Sequence, residues 1–271
     1  MTAGRLARDE RDGIQAVMFD MDGLLVDTEP LWLEVETEIV ARLGSTWSHA
    51  DQAELLGGSL AKSVSYMLGK AAPAPPDGAG AGGEWPPAAE TVAAWMVGGM
   101  VAQLAKRGVA LLPGAGELLA EISAAGVPRA LVTSSERSVM EAVLAHNQAR
   151  TLFDVTVCAA DVSRTKPDPE PYLRAAELLG VDPARCVVLE DAPNGVAAAQ
   201  AAGCLTVMVP NVAAAPAAPT PPRHAPGDGS GFGGETGVAA PGRHHLVVSS
   251  LCDISLAWLR EQMASWAAPT P

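Results

Sequence analysis

The feature that most constrains the fold is a regular alternation of short apolar runs and amphipathic segments between residues 111 and 210. Each apolar run has the length of a strand, and the segment after it carries apolar residues at helical spacing. The runs are nearly continuous in hydrophobicity, which is typical of parallel strands buried on both faces of a sheet. We therefore predict an α/β fold with a doubly wound, Rossmann-like parallel sheet, whose strands lie in IQAVMF, PRALVTSS, FDVTVCA, CVVLED, CLTVMVP and HHLVVSS.

A helical region interrupts this pattern after the first predicted strand. Apolar residues at helical spacing begin at Pro30, stop at Gly44, and return around 50–70 and 88–107. A region of helices inserted between two strands of one sheet indicates a separate domain. The predicted domains are an α/β core at 14–28 plus 109–271 and an inserted α-helical cap at 29–108.

Two segments have a low-complexity composition. Residues 71–87 are rich in alanine, proline and glycine, and residues 211–243 are rich in proline and glycine. Such sequences bury too little apolar surface to offset the entropy lost on ordering. We therefore predict that the first segment is an insertion within the cap and that the second is a disordered loop of the core.

Charge and composition narrow the classes of function. The net charge of −13 argues against nucleic acid or an anionic membrane surface as a partner, since both favour clustered Lys and Arg. No apolar stretch reaches the roughly 20 residues of a membrane span, and no signal-peptide pattern is visible at the N-terminus. The four cysteines are widely spaced, which favours reduced thiols in a cytoplasmic protein. No sequence pattern specifies an oligomeric state.

Reactive side chains stand at the ends of the predicted strands. An Asp pair follows the first strand, a Thr-Ser-Ser run follows the second, and a Glu-Asp pair ends another. A single lysine precedes one of the helices between them. The carboxyl ends of parallel strands meet at one edge of the sheet, where such folds bind ligands. The sequence therefore predicts one site at this edge, built from Asp20, Asp22, Thr133, Ser134, Lys166, Glu190 and Asp191.

Each of these motifs has a simpler interpretation when it is taken alone. An Asp-x-Asp pair is often a turn, and a Ser/Thr run before a helix is often an N-cap. A proline-rich stretch suits a first helical turn, and acidic residues complement the positive end of a helix dipole. Their joint occurrence, each at a strand end, favours a catalytic site.

The chemistry that suits these residues is phosphoryl transfer to an aspartate. Asp20 and Asp22 are two positions apart, so their side chains point to the same side of an extended chain. One can attack phosphorus while the other protonates the leaving oxygen and later deprotonates a water. A carboxylate approaches a phosphate dianion only after charge is neutralised. Mg²⁺ held by carboxylate oxygens, together with Lys166, would supply that neutralisation.

The stretches DMDGLLVDTEP, VTSS, TKPDPEPY and LEDAPNGV, in this order, resemble the haloacid dehalogenase (HAD) superfamily. The similarity covers nearly the whole chain and points to the β-phosphoglucomutase-like phosphatase branch, whose helical cap follows the first strand. It implies a Mg²⁺-dependent phosphatase that acts on a small phosphorylated metabolite such as a sugar, polyol or nucleoside phosphate. The implied roles are nucleophile for Asp20, acid/base for Asp22, phosphate binding for Thr133, Ser134 (through its backbone amide) and Lys166, and metal binding for Asp20, the carbonyl of Asp22, Glu190 and Asp191.

The resemblance also indicates which other reactions of the family fit this sequence. Haloacid dehalogenases and phosphonatases lack the second aspartate, so Asp22 argues against both. β-Phosphoglucomutases carry an arginine near the position of Ala61 that binds a second phosphate, and Lys62 beside it would be the substitute in a sugar phosphomutase. The mutase therefore stays the alternative to a phosphatase. A non-catalytic phosphate-binding module is more remote, because the nucleophile, the acid/base, the lysine and the metal-binding aspartate are all present.

Selection of the substrate is expected to lie in the cap, because a cap closes over the leaving group and excludes water. For Trp32, a core aromatic of the first cap helix is as good an interpretation as a substrate contact. The candidate substrate contacts are Glu29, Trp32, Ser59 and Lys62.

Overall fold

The computed structural model describes residues 13–55, 58–73, 85–211 and 245–266. A single sheet of six parallel strands forms its centre, in the order β3-β2-β1-β4-β5-β6. The strand β1 lies in the middle and pairs with β2 on one side and β4 on the other. The strands are β1 (Ala16–Phe19), β2 (Arg129–Val132), β3 (Val155–Val157), β4 (Cys186–Glu190), β5 (Leu205–Met208) and β6 (Leu246–Val247).

The described residues also form nine α-helices. They are α1 (Glu29–Arg42), α2 (His49–Leu55), α3 (Leu60–Gly69), α4 (Ala89–Arg107), α5 (Ala115–Ala124), α6 (Arg137–His146), α7 (Glu170–Leu179), α8 (Pro193–Ala201) and α9 (Leu256–Trp266). Short 3-10 turns occupy Ala149–Thr151, Ala159–Asp161, Pro183–Arg185 and Leu251–Asp253. The strands predicted from the apolar runs are all present.

Apolar layers cover the sheet on both faces. Val17 and Phe19 of β1 belong to one buried cluster, which also contains residues of α5, α6 and α9. Ala16 and Met18 belong to a second buried cluster with residues of α7 and α8. Because side chains alternate across a strand, four consecutive buried residues require cover on both faces. The predicted doubly wound α/β fold is therefore confirmed.

The four helices α1 to α4 follow β1 and precede the rest of the sheet. Within them, Gly99 of α4 lies against Val35 of α1, since a Cβ on this glycine would be 2.8 Å from Val35 Cγ1. The chain enters and leaves this region at adjacent points: Val26 and Leu111 form an antiparallel bridge, and Leu112 N donates to Leu25 O at 2.7 Å. The cap boundaries expected from sequence, 29 and 108, lie inside this bridge.

Some expectations fall partly outside the described residues. These are most of the low-complexity segments at 71–87 and 211–243, since 74–84 and 212–244 are not described. In the part of the chain that is described, no helix is long and apolar enough to cross a membrane. The four cysteines are free thiols; Cys252 is exposed and the others are buried.

Candidate active site

The strand ends open onto one cleft between the sheet edge and helices α1 to α4. Its sheet side includes Asp20 directly after β1, Thr133 directly after β2 and Glu190 at the end of β4. The opposite side is lined by residues of α1, α2, α3 and α4. The polar and catalytic candidates in the sequence motifs meet the cap helices here, and the lining includes Asp20, Asp22, Glu29, Trp32, Glu36, Gln52, Thr133, Ser134, Ser135, Lys166, Glu190, Asp191 and Gly195.

A tight turn after β1 fixes the two aspartates. Gly23 N donates to Val26 O at 2.8 Å, and Leu25 N donates to Met21 O at 3.0 Å. Gly23 has a φ of +89°, a conformation that glycine adopts without steric cost. A Cβ at this position would also lie 2.0 Å from Asp191 Oδ2. Glycine after the Asp pair is therefore required both by the turn and by the carboxylate across the site.

Lys166 joins three strand ends through its ammonium group. Its Nζ donates to Asp20 Oδ1, to Glu190 Oε1 at 2.6 Å and to the carbonyl of Val132 at 2.8 Å. The lysine is only 6% exposed, and burial alone would lower its pKa. The negative charges of Asp20 and Glu190 outweigh burial and hold the pKa of Lys166 above its ordinary value. Lys166 therefore stays a cation in the site.

The Asp22 carboxylate is held by three hydroxyl groups. Thr28 Oγ1 donates to Oδ1 at 2.6 Å, while Ser135 Oγ at 2.7 Å and Thr133 Oγ1 at 3.1 Å donate to Oδ2. Thr133 Oγ1 in turn accepts from Ser135 N at 2.9 Å. Hydroxyl groups rotate and can either donate or accept, so they suit a carboxyl that gains and loses a proton.

Glu190 is fully enclosed by protein partners. Its Oε1 accepts from Tyr172 OH at 2.7 Å as well as from Lys166, and its Oε2 accepts from Asp191 N at 3.0 Å and Ala192 N at 3.3 Å. Gly195 makes room for this carboxylate, because a Cβ there would lie 1.7 Å from Oε1. The Glu190 side chain therefore fixes the end of β4 against the start of α8.

The charge balance of the site fits an added cation. Oxygen atoms of Asp20, Glu190 and Asp191 lie within 4.8 Å of one another. Burial raises the pKa of Asp20 to about 8 and that of Asp191 to about 9, with the neighbouring carboxylates adding to the effect. One lysine does not neutralise this many acids. The donor set is entirely oxygen, which is the ligand type that Mg²⁺ prefers.

The side of the cleft formed by the residues after β2 carries an unsatisfied donor. Ser134 Oγ is buried and has no hydrogen-bond partner among the described residues. Ser134 lines the cleft beside Thr133, shortly before the N-terminus of α6. Buried hydroxyls are normally hydrogen-bonded, so this group is available to a ligand atom with lone pairs.

The residues predicted from the cap divide into two pairs. Glu29 and Trp32 line the cleft, and Gln52 Nε2 donates to Glu29 Oε2 at 3.1 Å and to the Glu29 carbonyl at 2.8 Å. Ser59 and Lys62 do not line it. Ser59 caps α3, and Lys62 Nζ donates to Glu54 O at 2.8 Å. A role for these two residues in substrate selection stays a prediction.

Sequence reasoning missed several residues of the site. Thr28 and Ser135 were part of the quoted motifs and could have been identified by their position beside Asp22. Tyr172 and Glu36 carry no such signal, because one resembles a core aromatic and the other a polar residue on a helix surface.

Comparison with known proteins identifies the family. Residues 17–209 match the family model of haloacid dehalogenase-like hydrolases, which spans β1 to the end of β5. The chain belongs to this family. Hexitol phosphatase B of Escherichia coli (strain K12) is 34% identical over 211 residues, which are 78% of this chain and 88% of that protein. The predicted haloacid dehalogenase-type phosphatase is thereby confirmed as family and enzyme class.

Solved structures of this family show the same fold. The crystal structure of a CbbY variant from Rhodobacter sphaeroides with xylulose-(1,5)bisphosphate has a TM-score of 0.64 and 31% identity, covering 73% of this chain and 86% of that chain. β-Phosphoglucomutase from Clostridium difficile has a TM-score of 0.69 and 21% identity, covering 93% and 98%. The second match supports the fold alone.

Proposed function

We propose that this haloacid dehalogenase-type phosphatase hydrolyses the phosphomonoester of a small polyhydroxylated metabolite through an aspartyl-phosphate on Asp20, with Mg²⁺ as cofactor. The observation that carries the proposal is the arrangement around β1. Asp20 is bonded to Lys166, and Asp22 is held two positions away by three hydroxyl groups, in the same cleft. This arrangement supports Asp20 as the nucleophile and Asp22 as the neighbouring proton donor.

The proposed metal site consists of Asp20, Asp191 and the backbone carbonyl of Asp22. Glu190 was also predicted as a metal-binding residue; both of its oxygens already accept hydrogen bonds from protein donors, so we assign it the role of orienting Asp191 and Lys166. Bound Mg²⁺ would neutralise charge between the substrate phosphate and the carboxylates.

The proposed reaction has two steps. In the first, an Asp20 oxygen forms a bond to phosphorus while the ester P–O bond breaks, and protonated Asp22 gives its proton to the leaving oxygen. In the second, ionised Asp22 takes a proton from a water, whose oxygen attacks phosphorus and releases Asp20 and inorganic phosphate. The rotating hydroxyls of Thr28, Thr133 and Ser135 can hydrogen-bond Asp22 in both protonation states.

The proposed phosphate contacts are cationic and hydroxyl donors. Lys166 supplies a permanent positive charge next to the nucleophile. The hydroxyl of Ser134 has no other described partner, and the N–H groups that follow β2 lie before the start of α6. Donors fixed before the phosphate arrives stabilise the charge that spreads over its oxygens in the transition state.

Support for hydrolysis over the phosphomutase alternative comes from the cap side of the cleft. A mutase has to hold a second phosphate there, which requires a cation. The described cap residues that line the cleft include Glu29 and Glu36 and no Lys or Arg. Lys62, the substitute considered from sequence, lies outside the lining and bonds to the Glu54 carbonyl.

The substrate class is inferred from the same wall and from the relatives. Carboxylates such as Glu29 accept hydrogen bonds, so they suit hydroxyl groups on the leaving group. Hexitol phosphatases and a probable pseudouridine-5'-phosphatase of Drosophila melanogaster are among the similar proteins. We therefore propose a sugar, polyol or nucleoside monophosphate, with Glu29 and Trp32 as substrate contacts.

The first experiment is phosphate release from a panel of sugar, polyol and nucleoside monophosphates, with Mg²⁺ and with EDTA. The expected result is Mg²⁺-dependent release from a few related substrates. Asp20→Asn should abolish release and keep the melting temperature, because the change is nearly isosteric. Asp253→Asn is the matched control, since Asp253 is exposed and is not among the residues that line the cleft. Conversion of β-glucose 1-phosphate to glucose 6-phosphate without release would favour the mutase instead.

A further inference from the structure

Glu36 is a buried acid at the far end of the cleft that the proposed reaction does not use. It is 5% exposed and lines the cleft together with Glu29. The two glutamates are seven residues apart on α1, so they share one helix face at a separation of about 10 Å along the axis. The face of α1 that points into the cleft therefore carries an acid near the reaction centre and another acid two turns away.

A neutral donor holds Glu36 in place. Trp47 Nε1 donates to Glu36 Oε2 at 3.0 Å. The Trp47 ring packs edge-on against Tyr66, with centroids 5.6 Å apart at 84°. Tyr66 OH in turn donates to Asp51 Oδ1 at 2.9 Å. The packing against Tyr66 holds the Trp47 indole in place, so its N–H points to the Glu36 carboxylate.

The negative charge of Glu36 has no cationic partner among the described residues. Lys70, whose Nζ lies 5.5 Å from the centroid of the Trp47 ring, is paired with Asp51 at 2.5 Å. No described donor bonds to Glu36 Oε1, so one oxygen of a buried carboxyl group remains open to the cleft. Burial raises the pKa of this carboxyl to about 7, and the charge of Glu29 adds to the effect. A buried acid without a cation favours a ligand that donates a hydrogen bond and disfavours an anion.

We propose that Glu36 determines the class of substrate: it accepts a hydrogen bond from a hydroxyl at the end of the leaving group remote from the phosphate, and it excludes compounds with a second phosphate there. The proposal rests on the proposed phosphatase function. In this proposal α1 contacts the substrate at two places. Glu29 binds the part of the leaving group close to the reacting ester, and Glu36 binds its far end.

The length of the cleft defines which substrates are affected. Glu36 lies about 10 Å further along α1 than Glu29. A hexitol phosphate extends further from its ester than glycerol phosphate does, so only the hexitol brings a hydroxyl to Glu36. A hexose bisphosphate places a dianion at the same position, opposite a carboxylate that has no cation to offset it.

The test compares three substrates with wild-type protein and Glu36→Gln. The substrates are a hexitol 6-phosphate, glycerol 3-phosphate and a hexose 1,6-bisphosphate. Glutamine keeps the shape but removes the charge and offers an N–H donor to the cleft. We expect the preference in kcat/KM for the hexitol over glycerol phosphate to fall about tenfold, mainly through KM, because a charge-assisted hydrogen bond is lost. The ratio of kcat/KM for the bisphosphate to kcat/KM for the hexitol phosphate should rise about tenfold.

Two further variants complete the design. Glu38→Gln removes the same charge from an exposed position of α1 and should leave both ratios unchanged. Trp47→Phe keeps the aromatic packing but removes the donor that positions Glu36. It should lower the hexitol preference in the same direction, and it provides the test if Glu36→Gln does not fold by its melting temperature.

The outcomes separate the two proposals. If wild-type protein releases phosphate from none of the panel compounds, the proposed function is wrong. If it hydrolyses them and both ratios stay within about twofold in Glu36→Gln, only the role of Glu36 is overturned. If Glu36→Gln is unfolded and Trp47→Phe does not change the hexitol preference, the role of Glu36 is likewise overturned.

Discussion

The carboxylate of Asp191 fills the space that a side chain on Gly23 would need, since a Cβ there would lie 2.0 Å from Asp191 Oδ2. Gly23→Ala should therefore displace the proposed metal-binding aspartate and strain a backbone with a φ of +89°. We expect kcat/KM to fall by about 100-fold or more, because small displacements in an active site have effects of this size. The measurement is phosphate release over a Mg²⁺ titration.

A control for this substitution is Gly69→Ala, because no heavy atom lies within 4 Å of a Cβ at Gly69. Its activity and Mg²⁺ requirement should match those of the wild-type protein. Full activity of Gly23→Ala at ordinary Mg²⁺ concentrations would show that Asp191 does not need its observed position.

Thr28→Val should reduce turnover without changing the fold. It removes the hydroxyl that donates to Asp22 Oδ1 at 2.6 Å and keeps the side-chain shape. The proposed acid/base would lose one of its three orienting contacts, so we expect kcat to fall about tenfold while KM changes little. Steady-state kinetics on the best panel substrate measure this.

Thr37→Val is the matched control. The Thr37 hydroxyl is on the exposed face of α1, the helix whose N-cap is Thr28, and it donates to Leu33 O at 2.6 Å. Equal losses of kcat in both variants would mean that α1 is disturbed generally and that Thr28 has no specific role.

The adjacent glycines of α4 should respond oppositely to alanine. Gly98 is exposed, with nothing within 4 Å of a Cβ, so Gly98→Ala should raise the free energy of unfolding by about 0.5–1 kcal/mol through helix propensity. A Cβ on Gly99 would lie 2.8 Å from Val35 Cγ1, so Gly99→Ala should lower it by about 1–3 kcal/mol. Urea denaturation measures both. A stabilising Gly99→Ala would show that α1 and α4 are less closely packed than described.

Glu36 should make stability depend on pH. Burial, with the charge of Glu29, raises the pKa of Glu36 to about 7, while the bond from Trp47 acts in the opposite direction. At pH values between the ordinary pKa of a glutamate and about 7, Glu36 therefore keeps a proton in the folded protein that it has lost in the unfolded chain. The free energy of unfolding contributed by this group is thus greatest at low pH and falls by about 3 kcal/mol as pH rises through this window.

Glu36→Gln removes this group, so its stability relative to wild type should increase as pH is raised from about 5 to 8. Urea denaturation at fixed Mg²⁺ over this range gives the difference. If the free energies of unfolding of the two proteins changed with pH in parallel, the raised pKa of Glu36 would be contradicted.

The parallel sheet and the grouping of Asp20, Thr133, Lys166 and Asp191 could be predicted because both follow from the order of strands along the chain. Each strand is a short apolar run, and the residues that follow it must lie at one edge of the sheet. The reason that Gly23 follows the Asp pair was not accessible in the same way, since it depends on a carboxylate 168 positions later in the chain.

The far end of the cleft could not be predicted from pattern. Glu36 occupies a position on α1 among several other acidic residues, and its burial depends on how Trp47 folds back over the helix. Conversely, the sequence around Lys62 suggested a cation that could bind a second phosphate. Its Nζ instead donates to the carbonyl of Glu54. Contacts within a helical cap depend on tertiary packing, which spacing along the chain does not encode.

The bridge between Val26 and Leu111 has a consequence for how such an enzyme changes its specificity. The whole segment between these two residues leaves and rejoins the α/β core at this one bridge. Recombination or engineering there can therefore exchange the cap-side wall of the cleft while every strand keeps its register. The constraint on a transplanted segment is narrow: it has to present a surface that fits α6, where α4 now packs. The segment also needs a hydroxyl at the position of Thr28, which donates to Asp22. With both features kept, new substrate ranges become accessible by module exchange while the hydrolytic machinery is retained.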